Sequence, residues 1–265
     1  MKVIVSRDNP TFKQLRLLAE DAREQRRQGR TVLDGPHLVS TYLQRIGLPR
    51  LLVVSESGVD KPELLALLDR HRGLEPLCLR DSLFREISGT AAPVGILAVI
   101  DVPEPPPMAA DSGCLLLDAV QDAGNLGSIL RTAAAAGLRD VFLGAGCAGA
   151  WTPRVLRAGQ GAHFSLAIHE RADLAALIRS YRGRVLTTDV DRGQCLFELD
   201  LVGPLAWLFG NEGRGVAPEL AALADARVTI PVASAVESLN VAAAAAICLF
   251  ESVRQQRIAP GVPHA

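Results

Sequence analysis

Six near-continuous apolar runs follow one another in the second half of this chain. They are CLLLDAV (114–120), DVFLG (140–144), FSLAI (164–168), RVLTTDV (184–190), LAWLF (205–209) and ARVTIPV (226–232). A strand with one face in water alternates apolar and polar residues. Runs that are apolar at nearly every position need cover on both faces, which points to parallel strands flanked by helices. The segments near 125–136, 153–160, 172–182, 216–224 and 238–257 read as those helices. Gly137 and Gly183 stand where left-handed C-caps would end two of them. The expected fold class is α/β, an open sheet whose ligands lie outside the carboxyl ends of its strands. No internal repeat is visible.

The clearest boundary is DVPEPPPMAADSG at 101–113, where four prolines exclude a helix or central strand and predict a semi-rigid linker. Before it, RTVLDG, RLLVVSE, EPLCLR and GILAVIDV read as strands between helices near 10–29, 36–46, 62–72 and 81–88. That alternation predicts a small α/β domain. The 265 residues thus divide into a first domain at 1–102, a linker at 103–110 and a second domain at 111–265.

Composition excludes several function classes. With 49% hydrophobic and 22% charged residues the chain is globular rather than disordered. No apolar run reaches the ~18 residues a membrane helix needs, and Arg7 and Asp8 break any secretory signal in the first ten residues. Five scattered cysteines with no paired Cys/His spacing predict neither a disulfide framework nor a metal site, and suit a reducing, cytoplasmic setting. Lys2, Lys13 and Lys61 are the only lysines and none lies in a Walker A loop; HExxH and GxSxG are absent. Net charge is −1, yet residues 1–50 hold ten basic and five acidic side chains. Arg23, Arg26, Arg27 and Arg30 form the densest group, with 26 and 30 sharing a face if the helix continues through them. Such a cluster is either a solvated helix face or a phosphate-facing surface.

Gly144, Gly146 and Gly149 spell GxGxxG after a strand, with Glu170 further on, in the manner of a dinucleotide site. That reading needs a helix opening at the loop, whereas Thr152-Pro153 predicts a helix that starts several residues later. Three other clusters stand at strand ends. In DAVQDAGNLGSILRTAAAAG, Asn125 is a candidate helix cap, and Arg131 lies six positions on, about 600° around the helix and off its face. In LFGNEGRGV, Asn211, Glu212 and Arg214 sit among glycines at the end of a buried strand, as in a tight loop around a ligand. In IPVASAVESLNVAAAAAICLF, a small-residue loop leads to Ser238 and Asn240 at the head of an alanine-rich helix. There Ser238 is either a cap or part of a site.

Taken in order, the three clusters resemble the signature motifs of the SPOUT superfamily of RNA methyltransferases, in its SpoU/TrmH branch. These are N-x-G-x-x-x-R-T at Asn125–Thr132, F-G-N-E-G-x-G at Phe209–Gly215, and I-P-(small)-E-S-L-N-V-(S/A) at Ile230–Ala242. The segment RVLRAGQGAHF is similar to the family's helix between the first two motifs. The residues from Asn9 to Val39 resemble its substrate domain, which shares its fold with kink-turn-binding ribosomal proteins. The chain departs from the family at Asp34, where many members have Glu, and at Ala123, where proline is commoner. Neither departure removes a proposed catalytic group.

The resemblance implies a deep trefoil knot at the C-terminal end that forms an S-adenosylmethionine site. It also implies a homodimer in which the first motif approaches the partner's cofactor. It places Gly210, Asn211, Ile230, Leu239 and Thr188 around the cofactor. Asn125, Arg131, Glu212, Ser238 and Asn240 would line the methyl-transfer site. The implied reaction is methyl transfer to a ribose 2′-hydroxyl of RNA, with ribosomal RNA favoured and transfer RNA the alternative; the positive excess of residues 1–50 puts Arg23, Arg26, Arg27 and Arg30 on that RNA. Arg131 is either the base or an electrostatic stabiliser of the developing alkoxide. A non-catalytic RNA-binding protein on the same fold is the competing reading. No membrane or metal partner is expected.

Overall fold

The structure, a computed structural model, describes residues 2–71, 73, 75–108, 112–233 and 237–258. Residues 109–111 of the proline-rich stretch and 234–236 of the third cluster lie outside the described residues. Two compact units divide the chain: Met1–Pro103 with Trp151–Phe164, and Glu104–Ala150 with Ser165–Ala265.

The first elements are β1 (Val3–Ile4), α1 (Pro10–Glu20), α2 (Ala22–Gln28), β2 (Arg30–Asp34) and α3 (Pro36–Arg45). There follow β3 (Leu51–Ser55), α4 (Pro62–Arg70), β4 (Leu77–Leu79), α5 (Asp81–Ile87) and β5 (Ile96–Asp101). Beyond the prolines come β6 (Cys114–Leu117), α6 (Ala123–Ala135), β7 (Asp140–Leu143), α7 (Pro153–Gly159), β8 (Ala167–Glu170) and α8 (Leu174–Ser180). The chain continues through β9 (Arg184–Thr188), β10 (Gln194–Cys195), β11 (Leu205–Phe209), α9 (Pro218–Ala221), β12 (Ala226–Thr229) and α10 (Val241–Ile258).

In the first unit the sheet runs β1-β4-β3-β5-β2. Its strands are parallel from β1 to β3, and antiparallel where β5 meets β3 and β2. Phe12, Leu15 and Leu18 recur at helical spacing along α1 and pack with Leu83, Phe84 and Ile87 of α5 over Val32, Val53, Leu79 and Leu97. The helix expected over 10–29 breaks at Asp21, whose extended backbone lets its carboxylate cap α2 through the N–H groups of Arg23 (2.7 Å) and Glu24 (3.3 Å). Gly29, at φ +61°, then ends α2. Arg30 therefore does not share a helical face with Arg26. It lies on β2 opposite Asp101, with Nε 3.3 Å from that carboxylate.

The segment Trp151–Phe164 joins this unit although it follows β7 in the chain. Thr31 Oγ1 donates to the Trp151 carbonyl (2.6 Å), and Phe164 meets Tyr42 edge-on at 5.4 Å. Asp34, at the end of β2, accepts from Ser88 Oγ (2.8 Å) and the Gly89 N–H (3.1 Å), with Arg157 of α7 at 3.5 Å. Burial pushes the Asp34 carboxyl up despite those three partners. The departure at Asp34 thus falls on a buried anchor that ties β2, the loop after α5, and α7.

In the second unit the sheet runs β10-β12-β9-β11-β6-β7-β8 and every pairing is parallel. Leu116, Leu208, Val185 and Phe142 face Leu174 and Ile178 of α8, and Met108 of the proline-rich stretch packs against the same cluster. On the opposite face α10 packs against β11 and α6, and Trp207 Nε1 donates to Ser252 Oγ (3.0 Å). Burial of both faces is the arrangement the apolar runs demanded.

Several local expectations need correction. The strand expected at 164–168 begins at Ala167, because 162–165 winds into a 3₁₀ turn. Two-residue strands such as β1 and β10 are too short to leave a periodic pattern. Gly137 is the left-handed residue after α6, at φ +81°. Gly183 is no such cap: α8 closes at Tyr181 in an extended conformation, and the glycine is needed because a Cβ would strike the Pro204 carbonyl.

Replacing Asp34 with alanine leaves the half-buried Arg157 guanidinium without its carboxylate and takes an acceptor from Ser88 and Gly89. We expect Asp34→Ala to destabilise the protein by about 1–3 kcal/mol, read as a lower urea midpoint of the full chain.

Candidate active site

The carboxyl ends of β6, β9, β11 and β12 bring their loops to one edge of the parallel sheet, where an open α/β fold offers room for a ligand. A cavity of about 750 Å³ opens there, within the size range of small-molecule and cofactor sites. Thr188, Gly210, Asn211, Glu212, Ile230, Ser238, Leu239, Asn240 and Asn125 all line it. Nine of the ten cofactor and catalytic positions expected from sequence thus converge on one space.

The turn after β11 is closed on itself. Asn211 and Gly215 exchange two backbone hydrogen bonds of 2.9 Å, and Asn211 Oδ1 accepts from the N–H groups of Gly213 (3.0 Å) and Arg214 (3.2 Å). Asn211 Nδ2 donates to the Ala119 carbonyl (2.9 Å), and the Ala217 N–H donates to Asp118 Oδ2 (2.8 Å), so both ends of the turn are tied to the loop after β6. Gly210 has no alternative here. A Cβ at this position would overlap the backbone of Gly215 and Val216.

Glu212 bridges that turn to the head of α6. Its carboxylate accepts from the N–H groups of Gln121 (3.4 Å) and Asp122 (3.1 Å) and from Asn125 Nδ2 (3.1 Å). Asn125 Oδ1 in turn accepts from Asn240 Nδ2 (2.9 Å), which links all three sequence clusters. Burial pushes the Glu212 carboxyl up. Hydrogen bonds from its own backbone, Asn125, Asp122 and Gln121 outweigh this and hold it below the ordinary carboxylate range.

Asn125 is not the helix cap. Asp122 fills that role by accepting the Asn125 N–H (2.7 Å), which leaves the Asn125 amide free to face Glu212 and Asn240. Ser238 is not the cap of the last helix either. Asn240 Oδ1 accepts from Ala242 (2.9 Å) and Ala243 (3.3 Å), so α10 starts at Val241 rather than near 238.

Arg131 is the exception among the ten. It lies exposed on α6 and is not among the residues lining the cavity. Six residues on from Asn125, the helix has turned it to another side. Arg23, Arg26, Arg27 and Arg30 belong to the first unit. Arg23 and Arg26 are exposed, Arg27 pairs with Glu24 (Nε–Oε2, 2.8 Å), and Arg30 with Asp101.

Sequence reasoning missed Asp118, Asp122 and Asp189. Asp189 follows β9 on the cavity wall, caps Asp191 and Arg192 with one carboxylate oxygen (3.1 Å each) and pairs with Arg227 through the other (3.0 Å). The signal for Asp118 and Asp189 was an acidic residue one step past a strand end, and for Asp122 an acidic residue just ahead of a helix.

The glycine-rich loop after β7 is not a dinucleotide site. The Glu170 carboxylate accepts the Ala150 N–H (2.7 Å), and α7 begins only at Pro153, so no helix N-terminus stands at the loop. Cys147 in that loop is no nucleophile: burial pushes its thiol up to about 11, and Sγ points to the Leu117 carbonyl (3.2 Å). Among the described residues there is no group of three or more His, Cys, Asp or Glu side chains placed to hold a metal. No described helix is long and apolar enough to cross a membrane.

Residues 113–250 match the SpoU rRNA Methylase family. This chain is a member of that family. It is 34% identical to a 23S rRNA (guanosine(2553)-2′-O)-methyltransferase of Bacillus subtilis over 94% of this chain and 98% of the relative. It is 35% identical to a 23S rRNA (guanosine-2′-O-)-methyltransferase of Bordetella pertussis over 73% of this chain and 74% of that one. Among solved structures, the SpoU methyltransferase AviRb of Streptomyces viridochromogenes in complex with the cofactor AdoMet superposes with a TM-score of 0.83 at 27% identity. That match covers 93% of this chain and 98% of the neighbour.

The family's cofactor is S-adenosylmethionine, and the cavity suits it. Apolar walls from Val216, Ile230 and Leu239 stand beside backbone groups and the carboxylates of Glu212 and Asp189, which suit a flat base, a ribose and a sulfonium.

Two outcomes follow. Gly210→Ala should abolish binding of S-adenosylhomocysteine by the folded protein in calorimetry, because the turn cannot close around a Cβ. Glu212, with its lowered folded-state pKa, stabilises the protein fully above its unfolded value of ~4.3, and this contribution is lost as pH falls through the lower folded value. The stability difference between wild type and Glu212→Gln should therefore be constant above about pH 5 and shrink in acid, read by urea unfolding across pH.

Proposed function

We propose that this protein transfers the sulfonium methyl group of S-adenosylmethionine to a ribose 2′-hydroxyl of ribosomal RNA and that it works as a homodimer. The observation that carries this reading is the Glu212–Asn125–Asn240 chain at the cavity mouth, which joins three distant segments into one polar surface. The names of the rRNA 2′-O-methyltransferase relatives favour ribosomal over transfer RNA. Asn125, Glu212 and Asn240, all present and joined, weigh against a non-catalytic binding protein.

When bound, S-adenosylmethionine supplies an electrophilic methyl group. The chain's own task is to hold the RNA hydroxyl in line behind that methyl and to stabilise the oxygen as its proton passes to solvent water. Thr188, Gly210, Ile230 and Leu239 hold the cofactor, and Asn125, Ser238 and Asn240 present polar groups to the ribose. A guanidinium keeps its proton at any physiological pH, so Arg131 serves as stabiliser of the developing alkoxide rather than as base.

The exposed position of Arg131, outside the cavity of its own chain, supports action at the partner's site. The C-terminal segment that completes the cavity is read as the knotted one. Its support is that Ile230, Val232, Ser238, Leu239 and Asn240 line the same space as 187–191 and 210–216 before α10 packs on α6. The first unit is read as the RNA selector, carried by the positive excess of residues 1–50 and by exposed Arg23 and Arg26.

Mapping of 2′-O-methyl sites in ribosomal and transfer RNA, with and without the protein, tests the reaction. Loss of one ribosomal site is expected, and an unchanged map overturns the reading. Arg131→Ala should lose methyl transfer while keeping cofactor affinity. Co-expressed with an inactive Asn240→Ala chain, it should regain part of the activity, because mixed dimers carry one intact site. Sedimentation as a single 28.2 kDa species would exclude the dimer.

A further inference from the structure

Arg214 occupies the one unspecified position of F-G-N-E-G-x-G, so it is a feature of this chain and not of the motif. It stands in the closed turn of Asn211 to Gly215, between two glycines, with its N–H held by Asn211 Oδ1 (3.2 Å) and Gly215 at φ +69°. The backbone under it is therefore pinned at both ends, by Ala119 on one side and Asp118 on the other. The side chain is exposed, lines the cavity and makes no ion pair or side-chain hydrogen bond among the described residues.

The other cation of the lining is already used. Arg227 pairs with Asp189 at 3.0 Å, and that carboxylate is fully engaged by Asp191 and Arg192 as well. Glu212 is likewise occupied by Asn125 and two backbone donors. Among the described lining residues Arg214 is thus the cation with no anion of its own. A planar guanidinium with five donors, fixed at the rim of a cavity, is built to take an oxyanion in two-point contact.

We propose that Arg214 is the anion receptor of this site. Resting on the methyltransferase reading, its ligand is an oxyanion brought by a substrate: the carboxylate at the methionine end of the cofactor or a phosphate of the RNA beside the target ribose. Both are flat or forked oxygen acceptors of the same chemistry, and they separate cleanly by experiment.

Full-length wild type, Arg214→Ala and Arg214→Lys are compared in binding and turnover. The small-molecule probes are S-adenosylhomocysteine, which carries the carboxylate, and 5′-methylthioadenosine, which shares the nucleoside thioether but lacks the amino-acid end. If the cofactor supplies the anion, Arg214→Ala weakens S-adenosylhomocysteine by about tenfold or more and leaves 5′-methylthioadenosine unchanged. If RNA supplies it, S-adenosylhomocysteine affinity is unchanged, KM for RNA rises by about tenfold, and the salt slope of RNA binding falls by about one. In either case Arg214→Lys recovers part of the loss, since it keeps the charge and loses the fork.

Because the side chain is exposed, the thermal midpoint should not move, and Arg214→Gln provides a second neutral variant. If both neutral variants match wild type for both ligands, the proposal is overturned and the methyltransferase reading stands. A wild-type protein that binds no S-adenosylhomocysteine and methylates no RNA would remove both.

Discussion

An ionised carboxylate can only accept hydrogen bonds, and from that property of Glu212 the polarity of the whole site follows. Asn125 must turn its NH₂ group toward Glu212, which leaves Oδ1 facing outward. Asn240 must then donate with its own NH₂, which leaves Asn240 Oδ1 to receive the first N–H groups of α10. Each amide orientation is dictated by its neighbour, so a chain of neutral groups is ordered by one charge at its end. The same carboxylate takes two backbone donors before α6, and so positions the helix as well as the side chains.

The frame that makes this possible is the parallel sheet. Parallel strands send all their carboxyl ends to one edge, so segments 87 and 115 residues apart meet without any long-range signal in the sequence between them. Burial of both sheet faces makes the frame stiff, and the irregular turns are confined to the edge where the ligand is expected. Asp118 and Asn211 then tie those turns to one another, so that the loops are held by side chains rather than by strands.

The first unit handles charge differently. Its positive excess is partly neutralised within the fold, with Arg27 on Glu24 and both Arg30 and Arg50 on Asp101. Exposed pairs of this kind contribute little to stability and remain available to a competing polyanion. The segment Trp151–Phe164, although it follows the second strand of the methyltransferase half, is built into this unit through Thr31, Tyr42 and Asp34. The two units are therefore not separated along the chain as cleanly as its composition suggests.

Much of this was legible in the residues themselves. Continuous apolar runs dictate buried parallel strands, Pro and Gly mark the ends of helices, and three motifs in order identify the family. These are local or periodic properties, and local chemistry decides them. The tertiary structure alone decided that Asp122 rather than Asn125 caps α6 and that Asn240 rather than Ser238 caps α10. It also decided that Asp21 breaks the first helix in two and that Arg30 lies opposite Asp101 on the sheet. Several side chains compete for each of these roles with nearly equal local propensity. The winner is set by what stands across the space, a carboxylate from another strand or the turn of a helix, and a linear reading does not contain that space.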